Sequence, residues 1–224
     1  MRDPFRVFGL SSVVVLSGMN RDRPLGLRAM KLALELTVAS SAEWTRTVMN
    51  DFPSFLQDHA DCERKASAMA LSFVAKYPDR TEILPELIET ALEELEHFQQ
   101  VYALMAKRGI QLAKEIKQDP YIKALMAVCH TDPIRRFLDR LLLASIVECR
   151  GAERFRLVEE ALDHDQELKD FYRELWVSEA KHGNLFVKMA LNYFPEEKVF
   201  ARLKELNDAE GEIIAQLELR PALH

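Results

Sequence analysis

The sequence predicts an all-α fold in which four long helices form a bundle, and three observations carry this prediction. Helix-breaking residues are few, with 7 glycines and 9 prolines among 224 residues. Apolar residues recur every three or four positions over four long stretches, as on the buried face of an amphipathic helix. The pattern Glu-x-x-His occurs twice, and both copies lie on such an apolar face.

The predicted bundle helices have recognisable start and stop signals. The first ends before Pro78, because a residue that precedes proline disfavours the helical conformation. The second is capped by Thr81, with a proline in its early turns, and stops at Gly109. The third begins at Thr131 or Asp132, just before another proline. Together the four helices are predicted to cover about residues 55–77, 81–108, 132–162 and 166–192.

The predicted connections between these helices are short, long and short in that order. The long connection covers about residues 110–131 and includes a short helix near residues 121–128. This order, together with the repeated Glu-x-x-His, is typical of a ferritin-like bundle with one long crossover. Extra N- and C-terminal helices are predicted at 26–39, 42–50 and 195–217. Residues 1–25 are poorly patterned, so a single ferritin-like domain is predicted over residues 26–224.

Six side chains repeat at one offset and form the candidate metal site. In each half of the chain a lone glutamate precedes Glu-x-x-His by 31 residues (94 − 63 = 31 and 179 − 148 = 31). The second set follows the first by 85 residues (148 − 63 = 85). The predicted metal ligands are Glu63, Glu94, His97, Glu148, Glu179 and His182. Antiparallel helices bring residues that are equally far from their turn to one level, so we expect all six to converge.

The charge of these side chains predicts how many ions they would hold. Burying a carboxylate without a counter-charge costs several kcal/mol, and four carboxylates lie on apolar helix faces. Two divalent cations supply four positive charges, and two neutral imidazoles fill further positions. A dinuclear site is therefore predicted, and mixed imidazole and carboxylate donors favour iron or manganese over calcium or structural zinc. Iron is preferred because such sites leave positions where dioxygen can bind.

Simpler interpretations of the same residues remain open at this point. Glu-x-x-His pairs are common on helix surfaces, but chance would also have to supply two more glutamates at matching spacing. His59 could contact a ligand or the substrate, although a hydrogen-bonding residue at a helix start is the preferred interpretation. Gly151 and Gly183 could open a cavity or allow close helix packing. Two basic clusters could bind phosphate, although a solvated helix face explains either alone: Arg135, Arg136 and Arg140, and Lys107, Arg108, Lys114 and Lys117.

Composition restricts the partners and the compartment. The net charge of −6 gives no overall attraction to nucleic acid, so an RNA partner would need a local basic patch. Three cysteines without CxxC spacing predict no disulfide framework and fit a reducing cytoplasm. No run approaches the length of a membrane span, and no cleavage site of a secretory signal is evident. A cytoplasmic protein without membrane association is predicted.

Short sequence segments around the candidate ligands resemble those of one family. They are DHADCERKA at 58–66, EELEHF at 93–98, RGI at 108–110, ECR at 148–150, ERF at 153–155 and SEAKH at 178–182. In these segments, which extend over about residues 30–195, the chain resembles the bacterial tRNA hydroxylases that act on 2-methylthio-isopentenyladenosine beside the anticodon. Gly151 and Ala152 depart from the family pattern, which has a serine and a cysteine there.

The resemblance implies an O2-dependent di-iron monooxygenase that hydroxylates the isopentenyl group of the modified adenosine. It implies two iron ions held by the six ligands above, dioxygen as co-substrate, and an electron-transfer partner that supplies two electrons. The substrate would be the tRNA anticodon loop, whose unpaired base enters an apolar cavity while basic side chains hold the phosphates. A monomer or small homo-oligomer is expected. The alternatives are another ferritin-like di-metal oxidase or peroxidase, an iron-binding non-enzymatic bundle, and a metal-free helical scaffold.

Overall fold

The computed structural model describes residues 34–115 and 118–224, and these residues form helices and connections without strands. The predicted all-α fold is therefore confirmed. The described helices are α1 (Ala42–Asn50), α2 (Phe52–Lys76), α3 (Leu84–Lys107), α4 (Pro120–Ala127), α5 (Pro133–Ala161), α6 (Gln166–Leu191) and α7 (Glu196–Gln216). Among the residues described, no helix is long and apolar enough to cross a membrane.

Helices α2, α3, α5 and α6 form the predicted four-helix bundle. Helix α2 packs along α3, and α5 packs along α6, so the bundle consists of two helical hairpins. Short connections join the helices within each hairpin, and the long connection between the hairpins contains α4. Helix α7 packs mainly on α5 and also contacts α4 and α6. This arrangement has the predicted order of short, long and short connections.

Two bundle helices begin elsewhere than predicted. Helix α2 begins at Phe52 rather than near residue 55, because the side chain of Asp51 caps its first turn. Helix α3 begins at Leu84, so the prediction that Thr81 is its N-cap was wrong. Residues 81–83 instead form a turn, and Pro85 lies in the first turn of the helix, where its missing N–H costs nothing.

Other predicted helix ends are confirmed by the capping contacts. Asp132 rather than Thr131 caps α5, and its carboxylate accepts a hydrogen bond from the backbone N–H of Arg135 at 3.0 Å. Gly109 follows the end of α3 with a φ of 68°, a left-handed conformation that glycine adopts without strain. Helices α1, α4 and α7 correspond to the additional helices predicted near residues 42–50, 121–128 and 195–217.

The helix predicted at 26–39 is wrong for residues 34–39, which are not helical. The carbonyl of Glu35 accepts a hydrogen bond from the Asn207 side chain at 2.8 Å, and that of Val38 accepts one from Arg150 at 2.7 Å. Side chains of α5 and α7 thus bind carbonyls that a helix would use internally. Residues 26–33, the segment 1–25 and the predicted domain start at residue 26 lie outside the described residues.

The apolar core has two parts, with the candidate ligands between them. One part includes Phe73, Leu141 and Phe186, and the other includes Phe55 and Phe155. Along each bundle helix, the candidate ligands fall between residues of the first part and residues of the second. The bundle therefore contains a polar layer in the middle of an otherwise apolar interior, and the carboxylates in it are almost completely buried.

Candidate metal centre

The structure brings all six candidate ligands together in this polar layer. They form two overlapping groups, and within each group the potential ligand atoms lie within 4.8 Å of one another. Glu94 and Glu179 belong to both groups. We call Glu63 and His97 half-site 1, and we call Glu148 and His182 half-site 2. All six side chains are buried.

Several polar atoms of this cluster have no hydrogen-bond partner among the described residues. They are both carboxylate oxygens of Glu94, one oxygen of Glu179, and the Nδ1 atoms of His97 and His182. The Nδ1 of His182 lies 2.8 Å from an oxygen of Glu94, and that of His97 lies 3.2 Å from Glu179. These atoms approach one another without making hydrogen bonds, although buried polar atoms are almost always paired. A donor set that is buried, unpaired and convergent fits two divalent cations.

The electrostatics of the cluster reflect four carboxylates in one buried place. Burial, and then repulsion from neighbouring carboxylates, raise the pKa of Glu63 and of Glu148 well above the ordinary range. Burial acts to lower the pKa of His97, but contacts with Glu179 and Glu94 outweigh it and raise this pKa to about 9. The same causes raise the pKa of His182 to about 11. Without cations, the cluster therefore retains protons.

His59 contacts a candidate ligand directly, and the preferred prediction of a residue at a helix start was wrong. Helix α2 begins one full turn and more before it, and the side chain is fully buried. Its Nε2 lies 2.6 Å from an oxygen of Glu63, and its Nδ1 lies 3.1 Å from the hydroxyl of Tyr172. Burial lowers its pKa to about 3, so the ring is neutral. A neutral ring that donates to Glu63 through Nε2 must accept the Tyr172 hydroxyl proton at Nδ1.

Glu93 is a residue near the site that the sequence did not indicate. Its carboxylate accepts a hydrogen bond from the Nε2 of His182 at 2.6 Å, while the Nδ1 of His182 faces the cluster. A carboxylate behind a ligating imidazole orients the ring and increases its basicity. Glu93 immediately precedes Glu94 and is half-exposed, so its sequence position resembles ordinary helix surface. Only the packing of α3 against α6 reveals the contact.

A cavity of about 1060 Å³ lies beside the cluster, and the four candidate glutamates contribute to its lining. Its other walls are mainly apolar and come from α2, α4 and α5, including Met69, Phe73, Leu125, Met126, Leu143 and Val147. Gly151 also lines it, and a Cβ atom there would meet nothing within 4 Å. At Gly183 a Cβ atom would lie 2.5 Å from the sulfur of Cys149. Gly151 therefore leaves space in the cavity, whereas Gly183 permits close helix packing.

Basic side chains dominate the remaining charged lining of the cavity. They are Lys65, Lys76, Lys123, Arg136 and Arg140, and we call them the basic rim. Apart from the cluster, Asp119 is the acidic side chain of this lining, and it caps α4 through the Tyr121 N–H. The first predicted basic cluster, Arg135, Arg136 and Arg140, thus contributes its last two arginines to the lining of the cavity.

The second predicted basic cluster has other partners. Lys107 forms an ion pair with Glu167 at 2.6 Å, and Arg108 forms one with Asp165 at 2.8 Å. Both pairs join the end of α3 to the start of α6, away from the lining of the cavity. Lys117, which the prediction included, lies outside the described residues.

The fold and the buried cluster define the protein as a ferritin-like helical bundle with residues suited to a di-metal site. The family model for "tRNA-(MS[2]IO[6]A)-hydroxylase (MiaE)" matches residues 29–224. The chain belongs to this family, as the resemblance in the sequence implied.

Individual relatives agree with this assignment. The tRNA 2-(methylsulfanyl)-N(6)-isopentenyladenosine(37) hydroxylase of Pseudomonas putida is 33% identical over 171 residues, which cover 76% of this chain and 82% of the relative. The hydroxylase of the same name from Salmonella typhimurium is 26% identical, with 73% and 77% covered. A solved structure, a Synechococcus protein with aldehyde deformylating oxygenase activity, is 32% identical with a TM-score of 0.77. It covers 83% of this chain and 92% of its own.

Proposed function

We propose that the protein is an O2-dependent di-iron monooxygenase that hydroxylates the isopentenyl group of 2-methylthio-isopentenyladenosine in tRNA, next to the anticodon. One observation carries the proposal: in a chain of this family, six convergent carboxylate and imidazole side chains lie beside a large apolar cavity. The cavity supplies a place for an apolar substituent, and the side chains supply a metal-binding donor set.

The proposed iron ligands are Glu63, Glu94, His97, Glu148, Glu179 and His182. Glu94 and Glu179 would help to hold both ions, because each belongs to both groups of converging atoms. With two external electrons and two protons, a di-iron centre supplies the oxidising power to insert one oxygen atom of dioxygen into a C–H bond, the other leaving as water. Glu93 would hold His182 in the orientation that binding requires, and His59 would contact one oxygen of Glu63 and leave the other to an ion.

The cavity walls would bind and orient the modified base. The isopentenyl and methylthio groups are apolar, so transferring them from water to a wall of Leu, Val, Phe and Met side chains is favourable. Met69 and Met126 have flexible side chains that adapt to an irregular substituent. Because the target base lies in a single-stranded loop, moving it into the cavity costs little unpairing energy.

The basic rim would hold the phosphates that flank this base. The whole chain carries a net charge of −6 and therefore does not attract RNA by its overall charge. Lys76 and Lys123 are exposed, and Arg136 and Arg140 are half-buried, on three helices that line the cavity. Cations in this arrangement can contact the backbone while the base is inside. A cytoplasmic location, an electron-transfer partner and a monomer or small homo-oligomer are parts of the same proposal.

A second candidate function is suggested by the similarity to the Synechococcus protein. That protein is described by an aldehyde deformylating oxygenase activity, and an apolar cavity of about 1060 Å³ could also hold a long-chain aldehyde. Such a substrate gives no role to the basic rim, whereas an RNA substrate does. The tRNA reaction therefore accounts for more of the cavity lining.

The test is incubation of iron-loaded, reduced protein with dioxygen and tRNA from cells that lack the hydroxyl group. We expect the 2-methylthio-isopentenyladenosine to gain the mass of one oxygen atom, and we expect the Glu94→Ala variant to produce no gain. A long-chain aldehyde is assayed in parallel. No mass gain on the nucleoside from fully loaded protein would reject the tRNA assignment. Loss of the aldehyde would then favour the second function, and an inert loaded protein would favour an iron-binding bundle.

A further inference from the structure

The internal repeat matches the six candidate ligands. At two positions that contact these ligands, however, the two halves of the chain carry different residues. Adding 85 to His59 gives Ala144 (59 + 85 = 144), and adding 85 to Glu93 gives Ser178 (93 + 85 = 178). The ligands themselves are matched between the halves of the chain, but these neighbours are not. The two half-sites therefore have the same ligand types in different surroundings.

Half-site 2 has a carboxylate behind its imidazole. The Nε2 of His182 donates to Glu93 at 2.6 Å, and its Nδ1 faces the shared carboxylates. For His97 the equivalent position is Ser178, and within the described ranges the Nε2 of His97 has no protein hydrogen-bond partner. A ring backed by a carboxylate is a stronger and better oriented donor, so His182 should bind a cation more strongly than His97.

Half-site 1 has a donor that competes for its carboxylate. The Nε2 of His59 lies 2.6 Å from one oxygen of Glu63. When Glu63 is ionised, as metal binding requires, the neutral ring must donate through Nε2, which removes electron density from that oxygen and occupies it. Aromatic rings hold His59 in place, and the centroid of the Phe155 ring lies 4.6 Å from that of His59. In half-site 2 the equivalent residue is Ala144, which has no donor to offer Glu148 and lines the cavity. No imidazole at the position equivalent to His59 therefore competes with an ion for Glu148.

We propose that half-site 2 binds its metal ion more tightly than half-site 1, so that the two ions enter in a fixed order. The inference rests on the di-metal part of the proposed function. Both differences act in the same direction: Glu93 strengthens the imidazole of half-site 2, and His59 weakens the carboxylate of half-site 1. At limiting metal, the protein holds one ion, at Glu148 and His182, and half-site 1 determines whether the centre is complete.

The experiment is stepwise addition of ferrous iron alone to the metal-free full chain without oxygen, followed by calorimetry. We expect two steps whose dissociation constants differ by about tenfold or more, the scale on which such outer partners act. When one equivalent of iron is added and the protein is then desalted, we expect the protein to retain that iron. His182→Ala should remove the tighter step and His97→Ala the weaker one, which assigns each step to a half-site.

The variant Glu93→Gln removes the charge behind His182. We expect it to weaken the tighter step by about 10- to 100-fold and to leave the weaker step within about twofold. The matched control is Glu89→Gln, an exposed residue one turn earlier on the same helix, which should change neither step. An effect of Glu93→Gln on the weaker step alone would overturn the assignment.

The variant Ser178→Glu tests the same idea by adding the missing partner. Ser178 precedes Glu179 as Glu93 precedes Glu94, and Glu179 lies beside His97. A carboxylate at this position should tighten the weaker step and reduce the difference between the steps. An unchanged weaker step would contradict the role given to the carboxylate.

The outcomes separate this inference from the proposed function. Two ions bound with equal affinity would overturn the fixed order while the di-metal site stands. No retained ion in the wild type would overturn both. Two unequal steps, in a protein that does not hydroxylate tRNA, would support the order of binding and reject the substrate.

Discussion

Glu94 and Glu179 differ from the other candidate ligands because each is shared by both converging groups. Both are almost completely buried, with 1% and 3% of their surface exposed. Neither oxygen of Glu94 makes a hydrogen bond among the described residues. The proposed ions would therefore be the partners of this carboxylate. Replacing a shared carboxylate should weaken the binding of both ions, whereas replacing a residue of one half-site should weaken chiefly the binding of one ion.

The replacement Glu94→Ala should therefore abolish loading of both ions. After anaerobic ferrous reconstitution and desalting, we expect about two irons per wild-type chain and almost none in the variant. Glu96→Ala is the matched control, because Glu96 is exposed on the same helix. Equal iron in the wild type and in Glu94→Ala would show that Glu94 is not a ligand. If the double variant Glu94→Ala with Glu179→Ala has the same stability and metal content as the wild type, the result would favour a metal-free scaffold.

Metal binding should release protons and should strengthen as the pH rises. The pKa of His97 is raised to about 9 and that of His182 to about 11 in the metal-free protein, so both rings are protonated at neutral pH. An imidazole must be neutral to bind a cation, and each ion therefore displaces protons. Calorimetry in two buffers with different ionisation enthalpies would measure this release. Affinity that stays constant as the pH rises toward about 9 would contradict the prediction.

At the scale of helices, two glycines near the centre have opposite surroundings. Gly183 lies where α6 approaches α5, and its missing side chain makes room for the sulfur of Cys149 and the carbonyl of Ser145. Gly151 lies on α5 itself and faces the cavity, with open space at the Cβ position. The first glycine therefore allows two helices that carry candidate ligands to pack closely, and the second leaves open space in the cavity.

Adding one methyl group should have opposite effects at these positions. Gly183→Ala should destabilise the metal-free protein by about 1–3 kcal/mol, because the new Cβ overlaps its neighbours. Gly151→Ala should stabilise it by up to about 1 kcal/mol, because alanine favours the helix and meets no obstacle. Urea denaturation measures both. Adding Cys149→Ala should restore part of the stability lost in Gly183→Ala, and no recovery would mean that the sulfur is not the obstacle.

At the scale of the whole molecule, the charge distribution is uneven. The chain is acidic overall, with a net charge of −6, yet five of the charged side chains that line the cavity outside the cluster are basic. An acidic surface repels RNA except where a local patch attracts it. RNA should therefore approach in one orientation, with the cavity facing the anticodon loop.

The double variant Lys76→Glu with Lys123→Glu should bind an anticodon stem-loop at least about tenfold more weakly than the wild type. The dependence of affinity on salt should also become shallower, by about 0.7 in the log–log slope for each phosphate that the variant no longer neutralises. Fluorescence anisotropy at several salt concentrations measures both quantities. The control, Lys169→Glu with Lys188→Glu, makes the same charge change on α6. Equal losses of affinity in both variants would mean that net charge, and not the basic rim, attracts RNA.

Much of the fold and the identity of the candidate ligands could be predicted from the sequence alone. Helical periodicity, Asp132 before its proline and Gly109 after α3 are local features, and the backbone follows them. The six candidate ligands were recognisable because a repeat at an offset of 85 placed them on apolar faces, where burying unpaired carboxylates is costly.

The surroundings of those ligands depend on contacts between helices. Glu93 contacts the cluster only because α3 packs on α6. His59 lies four residues before Glu63 on the same helix, and packing between helices determines that its other ring nitrogen meets Tyr172. Residues 34–39 lose their predicted helix because Asn207 and Arg150 bind their carbonyls. Periodicity and capping act within a few residues, whereas these contacts join residues more than 85 positions apart or on different helices. Local sequence patterns were therefore enough to specify the bundle and its candidate ligands, and packing between helices sets how the surroundings of the two half-sites differ.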